Sequence, residues 1–318
     1  MNRRTLLTRA GLLIAAGGGA WWAREQIFWP APEAVFGQNG RTPWMPMVLP
    51  AAQPTVRVVV NGVETVALID SGAEYSVVDR AWRRRMGGSA TFAAPMVAFG
   101  LGGRPQLGRG IKLEVGLPGL TIRELHAAVL DLGPLAGPGG LGTPLILGQD
   151  VLRRMVLELG PATRRLRLAA RGRFVADPAM VPAPVRRRGG LTTEVTVEGA
   201  TVRALVDTGA SSLLAMDRAT AEAAGLLDGR AVTRSDSLVL GGLLAAHVVE
   251  ARTVTFARQL YRRVSVGLYD QPPLPDFPGA LVGMAAFEGR RVALDLGGGA
   301  LHVTRLMDIS VGPPLRGR

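Results

Sequence analysis

The chain has 318 residues, enough for two domains of ordinary size, and its 47% hydrophobic and 19% charged content supports buried cores and excludes global disorder. It has no cysteine, which excludes a thiol nucleophile, a cysteine-ligated zinc and any disulfide. The formal charge of +12 rests almost wholly on arginine, with Lys112 the only lysine; this skew reads as base composition, and no aromatic-interleaved basic platform marks a nucleic-acid partner.

The N-terminus reads as an address. Asn2-Arg3-Arg4-Thr5-Leu6-Leu7 precedes the apolar and small-residue run Ala10–Ala20, the pattern of a bacterial export signal. The Arg3-Arg4 pair resembles a twin-arginine signal, which implies export of a folded protein to the periplasm. The apolar run is shorter than the roughly 20 residues that span a bilayer. If the segment stays attached, Trp21, Trp22 and Trp29 suit a membrane interface. Residues 1–30 are therefore set apart as a signal or anchor, and the Pro-rich residues 31–54 as a tether.

The abundant Gly and Pro, 42 and 22 residues, predict many turns and few long helices in the rest of the chain. Val56, Val58 and Val60 alternate ahead of an Asn61-Gly62 turn, the signature of a β-hairpin. The next strand, Val63–Ile69, delivers Asp70 into Ser71-Gly72-Ala73. Asp79 can cap a short helix that stops at Gly87. A glycine-rich span, Phe99–Gly110, holds Gly100, Gly102 and Gly103. It lacks the Lys-Ser/Thr of a phosphate-binding loop and reads as the tip of a hairpin. Leu145-Ile146-Leu147-Gly148 and Val156-Leu157-Glu158-Leu159-Gly160 come next.

Every one of these landmarks returns. Val197-Glu198-Gly199 opens a second hairpin, and Ala204-Leu205-Val206 delivers Asp207 into Thr208-Gly209-Ala210, 137 residues after Asp70. Asp217 and Gly225 bracket a second short helix, and Leu238–Gly242 supplies a second glycine tip with Gly241 and Gly242. Leu281-Val282-Gly283 and Ala293-Leu294-Asp295-Leu296-Gly297 complete the copy. One β-rich unit has been duplicated, with a period too long for a solenoid. The expected lobes are residues 55–175 and 191–308, joined by a linker at 176–190 that carries Arg186–Arg188, with a tail at 309–318. Glu158 and Asp295 match across the repeat; their alternation points them away from the core, in a structural role.

A carboxylate at the end of a buried apolar strand is costly to desolvate unless it is hydrogen-bonded. The Ser/Thr hydroxyl, the backbone N–H groups and the close-turning glycine after each Asp supply those bonds. If the lobes pack about a pseudo-two-fold axis, Asp70 and Asp207 meet there, share one proton and titrate as a pair. One then serves as base toward a water while the other polarises a carbonyl, with no metal and no covalent intermediate.

The blocks Ala67–Ala73 and Ala204–Ala210 resemble the active-site signature of retropepsin-like aspartic proteases. Leu145–Gly148 and Leu281–Gly283 resemble that family's second landmark, which packs behind the catalytic turn. The tandem layout is similar to that of pepsin-like enzymes. The resemblance implies a mainly β, bilobal aspartic-protease barrel fold with short helices. It implies catalysis by Asp70 and Asp207, support from Ser71, Gly72, Thr208 and Gly209, and landmark glycines at Gly148 and Gly283. It also implies substrate-covering flaps near residues 98–110 and 236–247, bearing Gly100, Gly102, Gly103, Gly241 and Gly242. Two departures stand out: neither proposed flap has a tyrosine, and Gln149-Asp150 matches the family's polar pair after the landmark glycine only loosely, whereas Met284-Ala285 does not match it.

The expected activity is that of an aspartic endopeptidase in the bacterial envelope, monomeric, taking a polypeptide substrate and no cofactor. His126, His247 and His302 have no metal-ligand spacing. Asp150 reads as a helix-start residue. No Gly-x-Ser-x-Gly marks a serine hydrolase. Two alternatives remain open: a protease fold kept for peptide binding or scaffolding, and an envelope structural protein whose basic linker grips the membrane.

Overall fold

The computed structural model describes residues 29–48, 52–86, 91–99, 105–137, 141–160, 163–187, 190–239, 242–269 and 279–305. It is mainly β, with short helices at Arg80–Met86, Gln149–Leu152 and Arg218–Ala223.

Two closed six-stranded barrels carry the duplication. In the N-terminal lobe the ring runs Leu120–Leu130, Val77–Asp79, Leu145–Leu147, Val63–Ile69, Thr55–Val60 and Pro105–Leu117, which closes back onto Leu120–Leu130. In the C-terminal lobe it runs Gln259–Tyr269, Leu214–Asp217, Ala280–Val282, Ala200–Val206, Leu191–Val197 and Gly242–Phe256, again closed. Closure removes sheet edges and gives each lobe an interior filled by alternate residues of every strand. Val56, Val58 and Val60 line the first interior and Val195 and Val197 the second.

The hairpins expected at Gly62 and Gly199 form. Asn61 and Gly62 have φ of 47° and 85°, and Glu198 and Gly199 have 47° and 94°. Positive φ at both central residues is the two-residue turn that matches strand twist. The helix caps form as well: Asp79 Oδ1 accepts from Trp82 N at 2.8 Å and Asp217 Oδ1 from Thr220 N at 2.7 Å. Gly225, at φ 74°, follows the second helix; Gly87 lies outside the described residues.

A third sheet joins the lobes, in the order Met180–Ala183, Ala300–Thr304, Val292–Asp295, Met155–Gly160, Arg165–Ala170 and Met45–Pro46. At its centre Leu157 pairs with Leu294 in antiparallel register. These two residues are repeat equivalents, so their pairing lies on the pseudo-two-fold axis. The stretch expected as a tether contributes two strands, Glu33–Phe36 beside Leu120–Arg123 and Met45–Pro46 beside Arg165–Leu166. Its apolar residues are what the Pro-rich composition hid: Met45 and Met47 are buried, and Phe36 packs on the core. The stretch read as a linker likewise contains Met180–Ala183 and Val185–Arg187.

Glu158 departs from expectation. It is 3% exposed, and Arg167 Nε and Nη2 each donate to its carboxylate at 2.7 Å. The Arg167 guanidinium lies 4.6 Å above the Trp44 ring. Alternation separates core from solvent only when one sheet face is wet; Met155–Gly160 is buried along its whole length. Asp295, its repeat partner, is half-buried and accepts from Arg171 Nε at 3.1 Å and Gly298 N at 2.6 Å.

Candidate active site

The site is built by two strands that end at the same place in each lobe. Val63–Ile69 runs parallel to Leu145–Leu147, and Ala200–Val206 parallel to Ala280–Val282. Each pairing extends one residue beyond the strand: Asp70 N donates to Leu147 O and Asp207 N to Val282 O, both at 2.9 Å. The backbone of each aspartate is thus pinned to the strand that precedes Gly148 or Gly283.

Those two glycines admit the turn. A Cβ on Gly148 would lie 2.7 Å from Ala73 O, and one on Gly283 would lie 2.4 Å from Ser212 O and 2.6 Å from Ala210 O. The residues after them lock the contact, with Gln149 N donating to Ala73 O and Met284 N to Ala210 O at 2.8 Å. Any side chain at these glycines drives the two loops apart.

Behind the aspartates the lobes exchange hydrogen bonds. Ser71 N donates to Thr208 Oγ1 at 2.9 Å, and Thr208 N donates to Ser71 Oγ at 3.0 Å. Each hydroxyl then donates into the opposite lobe, Ser71 Oγ to Val206 O and Thr208 Oγ1 to Ile69 O, both at 2.7 Å. Ser71 and Thr208 are fully buried, and both hydroxyls are satisfied as donor and acceptor.

In front of this lattice the Asp70 and Asp207 side chains hydrogen-bond to one another. Gly72 N and Ala73 N donate to Asp70 Oδ1 at 2.8 and 3.2 Å, and Gly209 N donates to Asp207 Oδ1 at 2.8 Å. The glycines also act across the axis. A Cβ on Gly72 would sit 2.6 Å from the Asp207 carboxylate, and one on Gly209 would sit 2.6 Å from Asp70 Oδ2. Glycine is required there because each turn packs directly against the other lobe's acid.

Both acids are pushed above the ordinary carboxylate range. For Asp70 the cause is burial, opposed by the Gly72 N–H, the Asp207 hydrogen bond and the Ala73 and Gly209 N–H groups. For Asp207 burial is again first, and the charge on Asp70 and the hydrogen bond with it add to the shift, which is the larger of the two. Buried side by side, the two carboxyls resist ionising together and titrate as one coupled pair.

Ser76, Arg153 and Tyr269, not singled out from sequence, complete the setting together with Gln149 and Asp150. Ser76 donates through N and Oγ to the two Asp150 oxygens at 3.0 and 2.8 Å, and its Oγ accepts from Gly148 N at 3.1 Å. Asp150 lies in the first turn of Gln149–Leu152, as expected, and also carries this brace. Gln149 Nε2 donates to Ser71 O at 2.9 Å, and Arg153 in turn holds Gln149 Oε1 at 2.8 Å. The C-terminal lobe replaces Ser76 with Leu213 and Asp150 with Ala285; there Gly283 N donates to Leu213 O at 3.2 Å. Tyr269 is buried near Asp207, and its phenol is raised by burial and by the Asp217 and Asp207 charges. Only its place opposite Leu130 in the repeat could have flagged it.

The hairpins read as flaps form at their bases. Thr91–Phe99 pairs with Pro105–Leu117, and Val232–Val239 with Gly242–Phe256. Gly242 opens its strand; Gly100, Gly102, Gly103 and Gly241 lie outside the described residues. His126, His247 and His302 sit on separate strands, with His126 against Phe92 and His302 against Phe174. Among the described residues no cluster of three or more His, Asp or Glu could hold a metal.

A family model described as aspartyl protease matches the chain twice, over residues 56–151 and 193–286. Among solved structures the chain is similar to a retropepsin-like aspartic protease from Rickettsia conorii, at 22% identity and a TM-score of 0.29, over 39% of this chain and 89% of that one. No curated protein matches. The family unit is present once per barrel, and the chain belongs to the aspartyl protease family, with that unit in tandem.

Proposed function

We propose that this protein is an aspartic endopeptidase in which Asp70 and Asp207 activate one water between them. The observation that carries this reading is the hydrogen-bonded carboxylate pair at the junction of two equivalent lobes. Asp70, the readier anion, takes a proton from the water as its oxygen attacks the scissile carbonyl carbon. Asp207, holding the shared proton, hydrogen-bonds the carbonyl oxygen and offsets the charge that develops there. Transfer of the Asp207 proton to that oxygen completes a tetrahedral diol; its collapse breaks the C–N bond, returns one hydroxyl proton to Asp207 and passes the proton held by Asp70 to the leaving nitrogen. The two glycine-tipped hairpins would cover a polypeptide bound across the dyad.

The Arg3-Arg4 segment supports an exported protein working in the bacterial envelope, with residues 1–30 cleaved or kept as an anchor. Both halves of the dyad lie in one chain, which supports a monomer.

The test is hydrolysis of casein and a peptide library by the purified chain from pH 3 to 8. Cleavage that disappears in Asp70→Asn and in Asp207→Asn supports the dyad, and cleavage that persists in either overturns it. Peptide binding without cleavage at any pH would favour a scaffold role instead.

A further inference from the structure

The N-terminal barrel has a second apolar face, and the chain itself fills it. In strands around the dyad, alternate residues leave the main core and point outward. Ala67 and Ile69 are in that core while Leu68 is not; Leu145 and Leu147 are while Ile146 is not. Leu68, Val77, Ala128, Leu130, Leu132 and Ile146 form a separate apolar cluster, all of them buried. Ala73 and Tyr75 pack on it. Both belong to the loop that carries Asp70, and Ala73 N is one of that carboxylate's donors. The cluster therefore lies against the loop that carries Asp70.

Trp29 packs on this cluster. Its ring lies 5.2 Å from that of Tyr75 and 6.4 Å from that of Phe92, centroid to centroid. Phe92 belongs to the first strand of the proposed flap hairpin. The indole thus sits between Tyr75 of the Asp70 loop and Phe92 at the base of the proposed flap. Its Nε1 is buried with no hydrogen-bond acceptor. A buried N–H without an acceptor forfeits part of what burial gains, so the indole is held by its apolar body alone. The nearest firm attachment of this segment is the strand Glu33–Phe36, which pairs from Glu33 with Arg123. Between them lie Pro30 and Pro32, which cannot donate to a strand ladder.

We propose that Trp29, in the chain that keeps residues 1–30, is an in-chain competitor for a substrate subsite beside Asp70. The pocket accepts a large aromatic side chain of the polypeptide, and Trp29 must withdraw before it can. This rests on the protease reading for the word substrate, but not for the pocket. An occupied pocket lowers apparent affinity by the fraction of time it is open. Removing the plug therefore lowers KM for peptides with Trp or Phe near the scissile bond.

The experiment uses the full chain with Trp29→Ala and Trp29→Phe. Two readings are taken: KM on aromatic and aliphatic peptides, and binding of N-acetyl-tryptophanamide by ligand-observed NMR. The expected result for Trp29→Ala is a KM lower by about tenfold on aromatic peptides only, as for a pocket otherwise occupied about nine-tenths of the time. N-acetyl-tryptophanamide then binds Trp29→Ala about tenfold more tightly than the wild-type chain and raises its melting temperature more. Trp29→Phe keeps the plug and behaves as wild type. Equal binding of the amide to wild type and Trp29→Ala overturns the proposal, as does an unchanged or raised KM in a folded Trp29→Ala. If no variant hydrolyses peptide, the amide alone decides: gained binding upholds the pocket while the protease reading fails.

Discussion

Ser71 and Thr208 each accept a hydrogen bond from the other's backbone N–H and each donate to a carbonyl of the other's strand. The two lobes are thereby stitched directly behind the dyad by four bonds that neither lobe can make alone. Ser71→Ala leaves Thr208 N and Val206 O unpaired in a buried site, at about 1–3 kcal/mol for each group. Urea denaturation should show that loss, and Thr208→Ser, which keeps every bond, should lose less than about 1 kcal/mol. Equal losses in the two variants would show that the hydroxyls are not what joins the lobes.

The dyad predicts opposite effects of one substitution on stability and activity. A carboxylate whose pKa is raised on folding holds its proton more tightly in the folded state. Its contribution is present below the unfolded pKa and is lost as pH rises through the folded one. Asp70 and Asp207 are both raised, Asp207 more so. Asp207→Asn removes the group that resists ionising, so it should raise the melting temperature near pH 8 and leave it unchanged near pH 3. The same variant should lower kcat by about 10²–10⁴-fold, the usual scale for a lost acid or base. In the wild-type chain kcat/KM should follow a bell, falling in acid as the pair gains a second proton and in alkali as it loses the one it shares.

Much of this was legible because the chain was duplicated. Repeated hairpin glycines, helix-capping Asp79 and Asp217, and the paired Asp70 and Asp207 blocks fixed equivalences that a single copy leaves open. The interlobe sheet was not legible, because Glu158 and Arg167 sit where strand alternation has no solvent side to mark. Nor was the role of residues 31–54, whose prolines hid the buried Met45 and Met47. Ser76 was missed, and the bond of Gln149 to Ser71 was not foreseen, for another reason. They bond to elements remote in sequence, and the second lobe, with Leu213 and Met284, carries no echo of them.

Gly72 and Gly209 test the closeness of the acids. A methyl group at either would lie 2.6 Å from the opposite carboxylate, so the lobes or the acids must move. Gly72→Ala and Gly209→Ala should each cost about 1–3 kcal/mol by overpacking. Separating the acids should also let each titrate alone and flatten the bell. Gly62→Ala makes the contrast: its Cβ meets nothing, so its cost, from φ alone, should fall on stability and leave the pH profile as it was.

Asp150 gives the N-terminal lobe a titrating group where the other lobe has Ala285. Burial raises its carboxyl from 3.8 to about 6, against the pull of its hydrogen bonds from Ser76 and Val151 and of the Arg153 charge. The folded state therefore binds a proton that the unfolded state has released between those values, and stability falls as pH climbs from about 4 to about 6. At about 1.4 kcal/mol per unit the loss is at most about 3 kcal/mol. Asp150→Asn should flatten this slope in pH-dependent denaturation, whatever offset it adds at every pH. An unchanged slope would place the titration elsewhere.

Arg167 and Glu158 carry the last test, at the sheet that joins the lobes. Glu158 is 4% exposed in its side chain, and its partner covers it with two short, parallel bonds. Arg167→Ala leaves that carboxylate buried and unpaired, which typically costs about 3–5 kcal/mol. Replacing both residues with leucine removes the charge as well as its partner, so Glu158→Leu combined with Arg167→Leu should be less destabilised than Arg167→Ala alone. Chemical denaturation of the two proteins decides it. If the single variant is the more stable, the pair contributes packing of Arg167 over Trp44 rather than charge neutralisation.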